Sequence, residues 1–189
     1  MTTRDQLKDD LDYVSRAVRH NDASRGEPLL YVFWAVAVLV GFASADFAPR
    51  YTGPYWLVVG IGGGLFSGWY GARQQRLRGI RNRSEGKRWG LHWLVGGIAF
   101  FLTALPMFTG AIDPKHGAPQ FLLTTGIVYG LAGVHLDRPL LWCGLIALAG
   151  YAALLLLHLP YAWTATGVVM AACLLLAAYF TARAGRDAQ

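Results

Sequence analysis

The fold is decided by the stretch PYWLVVGIGGGLFSGWYGARQQRLRGIRNRSEGKR, residues 54–88, in which an apolar run is followed by seven Lys and Arg residues. The apolar part, residues 54–72, is about as long as a helix must be to cross the roughly 30 Å hydrocarbon core of a membrane. Concentrated positive charge directly after a span is typical of a helix that ends on the cytoplasmic side. The stretch therefore predicts both a membrane helix and its direction.

Five more apolar runs of similar length surround this one, and they cover residues 28–46, 89–108, 119–136, 139–158 and 161–182. The chain of 189 residues is 54% hydrophobic and 15% charged, with a mean hydropathy of +0.35, which is too apolar for an ordinary soluble domain. In lipid each segment must satisfy its own backbone polar groups, so the runs should be helices. The predicted fold class is all-α, a polytopic bundle of six transmembrane helices arranged as three hairpins.

The two ends of the chain are predicted to lie outside the spans. Residues 1–27 carry Leu7, Leu11, Val14 and Val18 at helical spacing, which predicts a cytoplasmic amphipathic helix followed by a linker. These residues are polar overall and the first apolar run is long, so we expect no cleavable signal peptide. Residues 28–183 form the predicted six-span domain, and residues 184–189 form a cytoplasmic tail.

Positive charge is concentrated on alternate joints, and of the 17 Lys and Arg residues only Arg50 and Lys115 lie in the other joints. This asymmetry predicts a multi-pass protein of a bacterial-type inner membrane with both termini in the cytoplasm. The basic joint between the second and third spans should contact anionic lipid or an acidic protein partner, and the net charge of +6 does not imply nucleic acid. Its basic residues are Arg73, Arg76, Arg78, Arg81, Arg83, Lys87 and Arg88.

Glycines recur every four residues in the second span, at Gly60, Gly64 and Gly68, and the fourth span repeats the spacing at Gly126 and Gly130. Glycine removes side-chain bulk along one stripe of a helix, so a second helix can approach closely in a membrane. Three interpretations remain open: close packing within the monomer, homodimerisation through the second span, and a glycine-lined path for a solute.

His92, His135 and Cys143 are predicted to lie at similar depth, near the cytoplasmic ends of their spans. Imidazole and thiolate groups bind transition metals and haem, and imidazole also relays protons near neutral pH. Their spacing matches no known metal motif. The alternative is that the histidines form hydrogen bonds to carbonyl groups, water or lipid headgroups, in which case no cofactor is expected.

No catalytic motif is evident, because the chain has no G-x-S-x-G, P-loop or C-x-x-C sequence and no span places a charged residue near its middle. We therefore predict a non-catalytic accessory, regulatory or assembly component, in contact with membrane lipids, that packs with itself or with another membrane protein. A passive channel or facilitator for a small neutral solute or ion is the alternative, and a haem- or metal-binding subunit is a second. The hydroxyl groups that could line a path belong to Ser67, Thr103, Thr124, Thr125, Thr164 and Thr166.

Overall fold

The computed structural model describes residues 27–77, 83–157 and 159–187. Six α-helices occupy these ranges: α1 Pro28–Phe47, α2 Pro49–Leu77, α3 Arg83–Phe108, α4 Ala118–His135, α5 Pro139–Leu156 and α6 Ala162–Asp187. A short 3-10 helix, Pro114–His116, lies in the joint before α4. The described ranges contain no strand, so the all-α prediction is confirmed. The predicted N-terminal amphipathic helix, Arg78 and Arg81 lie outside the described residues.

Proline marks the beginnings of several helices. Pro28 and Pro139 are the first residues of α1 and α5, where the missing N–H would have no helical partner and the fixed φ favours helix. The beginning of the second helix was predicted wrongly, because Pro54 lies inside α2 and Pro49 is the first residue instead. Only Ala48 separates α1 from α2, so the joint is much shorter than the sequence indicated.

Four of the described helices are long and apolar enough to cross a membrane: α1, Gly86–Phe108 of α3, α5, and Ala162–Arg183 of α6. The apolar character of α2 is diluted by its many glycines, and that of α4 by Gln120 and by Thr124 and Thr125. The structure thus shows a helical protein with four apolar span candidates among its described helices.

The buried core is built from α1, α4, α5 and α6. The most extensive packing joins α1 to α6 and α4 to α5, and α6 also packs against α5. Small side chains such as Ala35, Ala147 and Ala177 are at most 1% exposed at these contacts. Small residues let helix backbones approach closely, which is how helices associate where lipid removes the hydrophobic driving force.

The two remaining helices lie at the periphery. Among the described residues, α2 packs extensively only on α1, and α3 packs extensively only on α4. Only 6% of the apolar segment of α3 is buried, against 50% of that of α6. The contact surface of α3 within the protomer is therefore far smaller than that of a core helix.

The six helices alternate in direction, so their termini gather at two ends of the bundle. At one end the Tyr31 hydroxyl donates to Asp137 Oδ2 over 2.7 Å, and we call this the Glu27 end. At the other, the Asp46 end, Asp46 Oδ2 accepts hydrogen bonds from the backbone N–H and the hydroxyl of Thr164 at 2.7 and 2.6 Å. Among the described side chains, the exposed basic ones at the Glu27 end are Arg73, Arg76, Lys87, Arg88, Arg138, Arg183 and Arg186.

Candidate functional site

A long cleft separates α2 from α3, and we call it the α2–α3 cleft. It encloses about 2710 Å³ and extends from the Glu27 end of the bundle to the Asp46 end. Its floor is formed by aromatic and aliphatic side chains of the core helices, including Trp34 and Phe42 of α1, Tyr129 of α4 and Leu174 of α6. The cleft exists because α2 and α3 pack against different core helices and do not pack extensively on one another.

The α2 wall of the cleft carries the glycine stripe predicted from the sequence. Gly60, Gly64 and Gly68 all line the cleft, and a methyl group built at any of them would meet no described atom within 4 Å. Within the protomer, therefore, this stripe does not mediate close helix packing. The interpretation of packing inside the monomer does not hold for these three positions, and a contact with another chain or a solute path stays open.

The α3 wall carries a second stripe of small residues that the sequence analysis missed. Gly90 and Gly97 line the cleft on either side of Trp93, and a methyl group at either glycine would also meet nothing within 4 Å. The signal was present in the sequence, because residues seven apart occupy the same face of a helix. Two glycine-bearing helix faces thus border the same open space.

The glycines of α4 behave differently, because they do mediate packing within the protomer. A methyl group at Gly126 would lie 2.5 Å from Leu148 Cγ and 3.2 Å from the carbonyl oxygen of Gly144. A methyl group at Gly144 would in turn lie 2.6 Å from the Cα of Gly130. Gly133, which the sequence analysis did not single out, meets the backbone of Leu141 in the same way. Helices α4 and α5 cross with their backbones in contact at these glycines.

Helix α2 is fixed in place by hydrogen bonds to α1 along its length. The Trp34 indole N–H donates to Ser67 Oγ at 3.0 Å, and the Tyr55 hydroxyl donates to the carbonyl oxygen of Ala37 at 2.7 Å. Near the Asp46 end, the hydroxyl groups of Ser44 and Thr52 lie 3.0 Å apart. These bonds hold the α2 wall at a distance from α3, so the cleft is part of the fold.

Helix α3 is held on α4 in a comparable way. His92 Nε2 lies 3.1 Å from the carbonyl oxygen of Val128, and the Thr103 and Thr124 hydroxyl groups are 2.7 Å apart. At the Glu27 end, Arg88 Nη2 donates to the carbonyl oxygen of His135 at 3.3 Å. The polar groups of α3 therefore face α4, and its glycine face is left toward the cleft.

The three side chains predicted as metal or haem ligands make different contacts. His92 contacts α4, the His135 side chain is exposed, and Cys143 is buried and donates through Sγ to the carbonyl oxygen of Cys173 at 2.9 Å. Among the described residues, no group of three or more His, Cys, Asp or Glu side chains could hold a metal ion. His92 thus forms a hydrogen bond to a carbonyl group, which the sequence analysis gave as the alternative to metal or haem binding.

Of the hydroxyl groups predicted to line a solute path, only Ser67 lines the cleft. Thr125 and Thr166 donate to carbonyl oxygens of their own helices, at 2.6 and 2.8 Å. Thr103 pairs with Thr124, and Thr164 binds Asp46. The five threonines therefore stabilise helices and their contacts.

Polar groups in the cleft are concentrated at its two ends. Asp46, Asp113 and His116 lie at the Asp46 end, and Glu27 and Arg186 lie at the Glu27 end. Between the ends, the described lining has no charged side chain. This distribution matches the polarity of a membrane, with an apolar middle and polar margins.

The basic joint between α2 and α3 is described in part. Arg73, Arg76, Lys87 and Arg88 are exposed, and the Arg73 guanidinium lies 5.8 Å from the centre of the Trp69 ring. Arg83 is the first residue of α3. The joint therefore places positive charge at the Glu27 end, beside the opening of the cleft.

Comparisons with known proteins identify no relative: no protein-family model, no curated protein and no solved structure matches this chain.

Proposed function

We propose that this protein is a six-span component of a bacterial-type inner membrane that binds a transmembrane helix of another polypeptide chain in the α2–α3 cleft. In this proposal it is a non-catalytic accessory or assembly subunit, and the bound chain is a second copy or a different membrane protein. The observation that carries the proposal is the pair of glycine faces, on α2 and α3, that border the cleft and contact nothing within 4 Å.

The alternating directions of the helices support six crossings. Helices α2 and α4 lie between apolar span candidates and run antiparallel to them, with their termini at the same two ends. The lower hydropathy of α4 has a structural reason, since Thr124 bonds to α3 and Thr125 is 1% exposed in the core. A helix with buried polar groups needs fewer apolar residues to be stable in lipid.

The distribution of charge supports an orientation with both termini in the cytoplasm. The described basic side chains are concentrated at the Glu27 end, whereas Arg50 lies at the Asp46 end. Cytoplasmic surfaces of membrane proteins carry such an excess of Lys and Arg. In this orientation the basic joint, including Arg73, Arg76 and Lys87, contacts anionic headgroups, at about 1 kcal/mol for each charge near the surface.

The dimensions of the cleft support a helix as its occupant. A helix of about 20 residues is roughly 30 Å long, which is also about the rise of residues 27–46 of α1, at whose two ends Glu27 and Asp46 line the cleft. The cleft encloses about 2710 Å³ and extends between the two polar ends of the bundle. Glycine on both walls would allow the backbone of an inserted helix to approach closely, which favours association in lipid.

The experiment is affinity purification from native membranes in mild detergent, followed by mass analysis of everything that copurifies. We expect wild-type protein to carry a second polypeptide, and Gly64→Leu to lose it because the added side chain projects into the cleft. Ala149→Leu is the matched control, since Ala149 is exposed on α5 and does not line the cleft. A lone monomer from wild-type membranes would refute the proposal.

A passive facilitator is the competing proposal, because the cleft is continuous from end to end. Its support is weaker, since the lining between the ends is mainly glycine, aromatic and aliphatic, and the five threonines do not line the cleft. Flux of water, small polar solutes and common ions into liposomes decides between the two. Flux above that of empty vesicles, lost in Gly64→Leu, would favour the facilitator.

A further inference from the structure

Three exposed basic side chains border the α2–α3 cleft at its Glu27 end, one on each of three helices. Arg186 of α6 lines the cleft itself. Arg76 lies four residues after Ala72, which lines the cleft on α2, and Lys87 lies three residues before Gly90, which lines it on α3. Residues three or four apart occupy the same face of a helix, so Arg76 and Lys87 lie on the cleft faces of α2 and α3.

The charge at this end of the cleft is therefore positive, because Glu27 is the one acidic side chain among the described lining residues there. Other basic side chains at the same end of the bundle lie on different faces. Arg73, Arg88, Arg138 and Arg183 are exposed, but neither they nor the residues three and four positions further into their helices line the cleft. The basic residues of this surface thus divide into those on the cleft faces and those away from them.

The cleft becomes apolar within about two helical turns of these charges. Its walls there include Gly68 of α2 and Gly90 and Trp93 of α3, and its floor includes Trp34 of α1. A methyl group at Gly68 or Gly90 would meet no described atom within 4 Å, so the walls leave open space between them. A cationic opening that leads into an apolar space has the polarity of an anionic lipid, which carries a charged headgroup on apolar acyl chains.

We propose that an anionic phospholipid binds at the Glu27 end of the cleft, with its phosphate beside Arg76, Lys87 and Arg186 and its acyl chains between the glycine faces of α2 and α3. Basic pockets between transmembrane helices bind such headgroups. Helices α2 and α3 do not pack extensively on one another, so the lipid enters from the bilayer between them. The inference goes beyond the proposed function, because it states what this half of the cleft holds in a protomer without a bound helix.

The test measures quenching of tryptophan fluorescence in neutral detergent by phospholipids that carry bromine on their acyl chains. Trp34 and Trp93 line the cleft and report a lipid inside it. Trp69 and Trp142 are 60% and 65% exposed and do not line the cleft, so both are replaced by Phe to remove quenching by surrounding lipid. We expect brominated phosphatidylglycerol to quench at a mole fraction at least about tenfold lower than brominated phosphatidylcholine, which has no net charge.

Glutamine variants test the headgroup position. Arg76→Gln, Lys87→Gln and Arg186→Gln should each lower the preference for phosphatidylglycerol by up to about fivefold, the factor that corresponds to about 1 kcal/mol for one charge near the surface. The variant with all three substitutions should bind the two lipids equally. Arg138→Gln and Arg183→Gln are the matched controls, since they remove the same charge from the same end of the bundle but not from a cleft face, and they should keep the preference of wild type.

A leucine variant tests the position of the acyl chains. Gly68→Leu fills the space between the walls and should lower the quenching by both lipids at least about twofold, because a well-filled space does not accept a further chain. Gly62→Leu is the matched control, since Gly62 is exposed on α2 and does not line the cleft. Free glycerol 3-phosphate carries the same phosphate without acyl chains and should not displace the brominated lipid.

Several results would overturn the lipid site. Equal quenching of wild type by the two lipids refutes it, and so does an equal loss of preference in Arg138→Gln or Arg183→Gln, because charge spread over the whole surface would then explain the preference. Displacement by glycerol 3-phosphate refutes it in favour of a small soluble phosphate. None of these results bears on the proposed function, which is decided by whether a second polypeptide copurifies.

Discussion

The contact between Asp46 and Thr164 should be the strongest single polar attachment of α1 to the beginning of α6. One carboxylate oxygen accepts both the backbone N–H and the hydroxyl of Thr164, at 2.7 and 2.6 Å. Thr164 is the third residue of α6, so its N–H is one of the groups that the helix cannot satisfy by itself. A carboxylate from another helix thus replaces an N-cap side chain.

The cost of removing this carboxylate can be estimated from its two bonds. Hydrogen bonds to a charged group contribute about 1.5–3 kcal/mol each, and the favourable position at a helix N-terminus adds about 0.3–1 kcal/mol. Asp46 is half-buried at the end of the bundle, where water replaces part of the lost bonding. We therefore expect Asp46→Ala to lower the free energy of unfolding by about 2–3 kcal/mol.

Thermal unfolding in detergent measures this effect, with a thiol-reactive fluorophore as the probe. Cys143 and Cys173 are each 1% exposed, so they react only when the helices separate. At about 2–4 °C per kcal/mol for a chain of this size, Asp46→Ala should lower Tm by roughly 4–12 °C.

A double-mutant cycle provides the control. Thr164→Val removes only the hydroxyl bond and should cost about 1 kcal/mol in the wild type and close to nothing in Asp46→Ala. An Asp46→Ala variant with the Tm of wild type, or two losses that simply add, would refute the reasoning.

Three further predictions use the same unfolding assay. Gly144→Ala should lower stability by about 1–3 kcal/mol because its methyl group would overlap the backbone of α4. Gly62→Ala is the control: its methyl group would lie in open space, so the substitution should be neutral or raise stability by up to about 1 kcal/mol. Tyr31→Phe should cost about 1–3 kcal/mol through the bond lost to a carboxylate, and Tyr179→Phe, at an exposed position, should cost nothing measurable. His92→Leu should lower the free energy of unfolding by about 1 kcal/mol through the lost hydrogen bond. The metal content and absorption spectrum of the purified variant should equal those of the wild type. A metal or haem lost in this variant would show that the histidine is a ligand.

Much of the fold could be predicted from the sequence because lipid imposes a simple rule. A long apolar run must be helical, so α1, α3, α5 and α6 follow from composition alone. Helix beginnings were less predictable, because Pro49 and Pro54 both fit a first turn and only the tertiary structure selects Pro49.

The neighbours of each helix could not be predicted, because apolar residues surround these helices on every side and leave no preferred face. The glycines illustrate the difficulty. Gly64 and Gly126 belong to identical four-residue repeats, yet Gly126 packs against α5 and Gly64 borders an open cleft. The spacing shows where a helix can be approached closely, and the partner depends on the arrangement of the whole bundle.

The ligand set could not be predicted for a similar reason, because the sequence does not show how each helix is rotated about its axis. The sequence places His92 and Cys143 at one depth, but depth does not specify the direction in which a side chain points. In the structure His92 faces α4, and Cys143 faces α6 in the core. Asp46 was overlooked because a carboxylate at the end of an apolar run resembles an ordinary joint residue.

The most direct test of the account is the side of the membrane to which each joint is exposed. Single cysteines would be introduced at Arg50, Arg76, Ala111, Arg138, Tyr161 and Arg183, all exposed positions near helix ends, and labelled in intact bacterial cells with a reagent that cannot cross the membrane. Six crossings with cytoplasmic termini predict labelling from outside at residues 50, 111 and 161, and labelling at the other three only after permeabilisation. Two consecutive positions on the same side would show that the helix between them does not cross, and would contradict the six-span architecture on which the proposed occupant of the cleft depends.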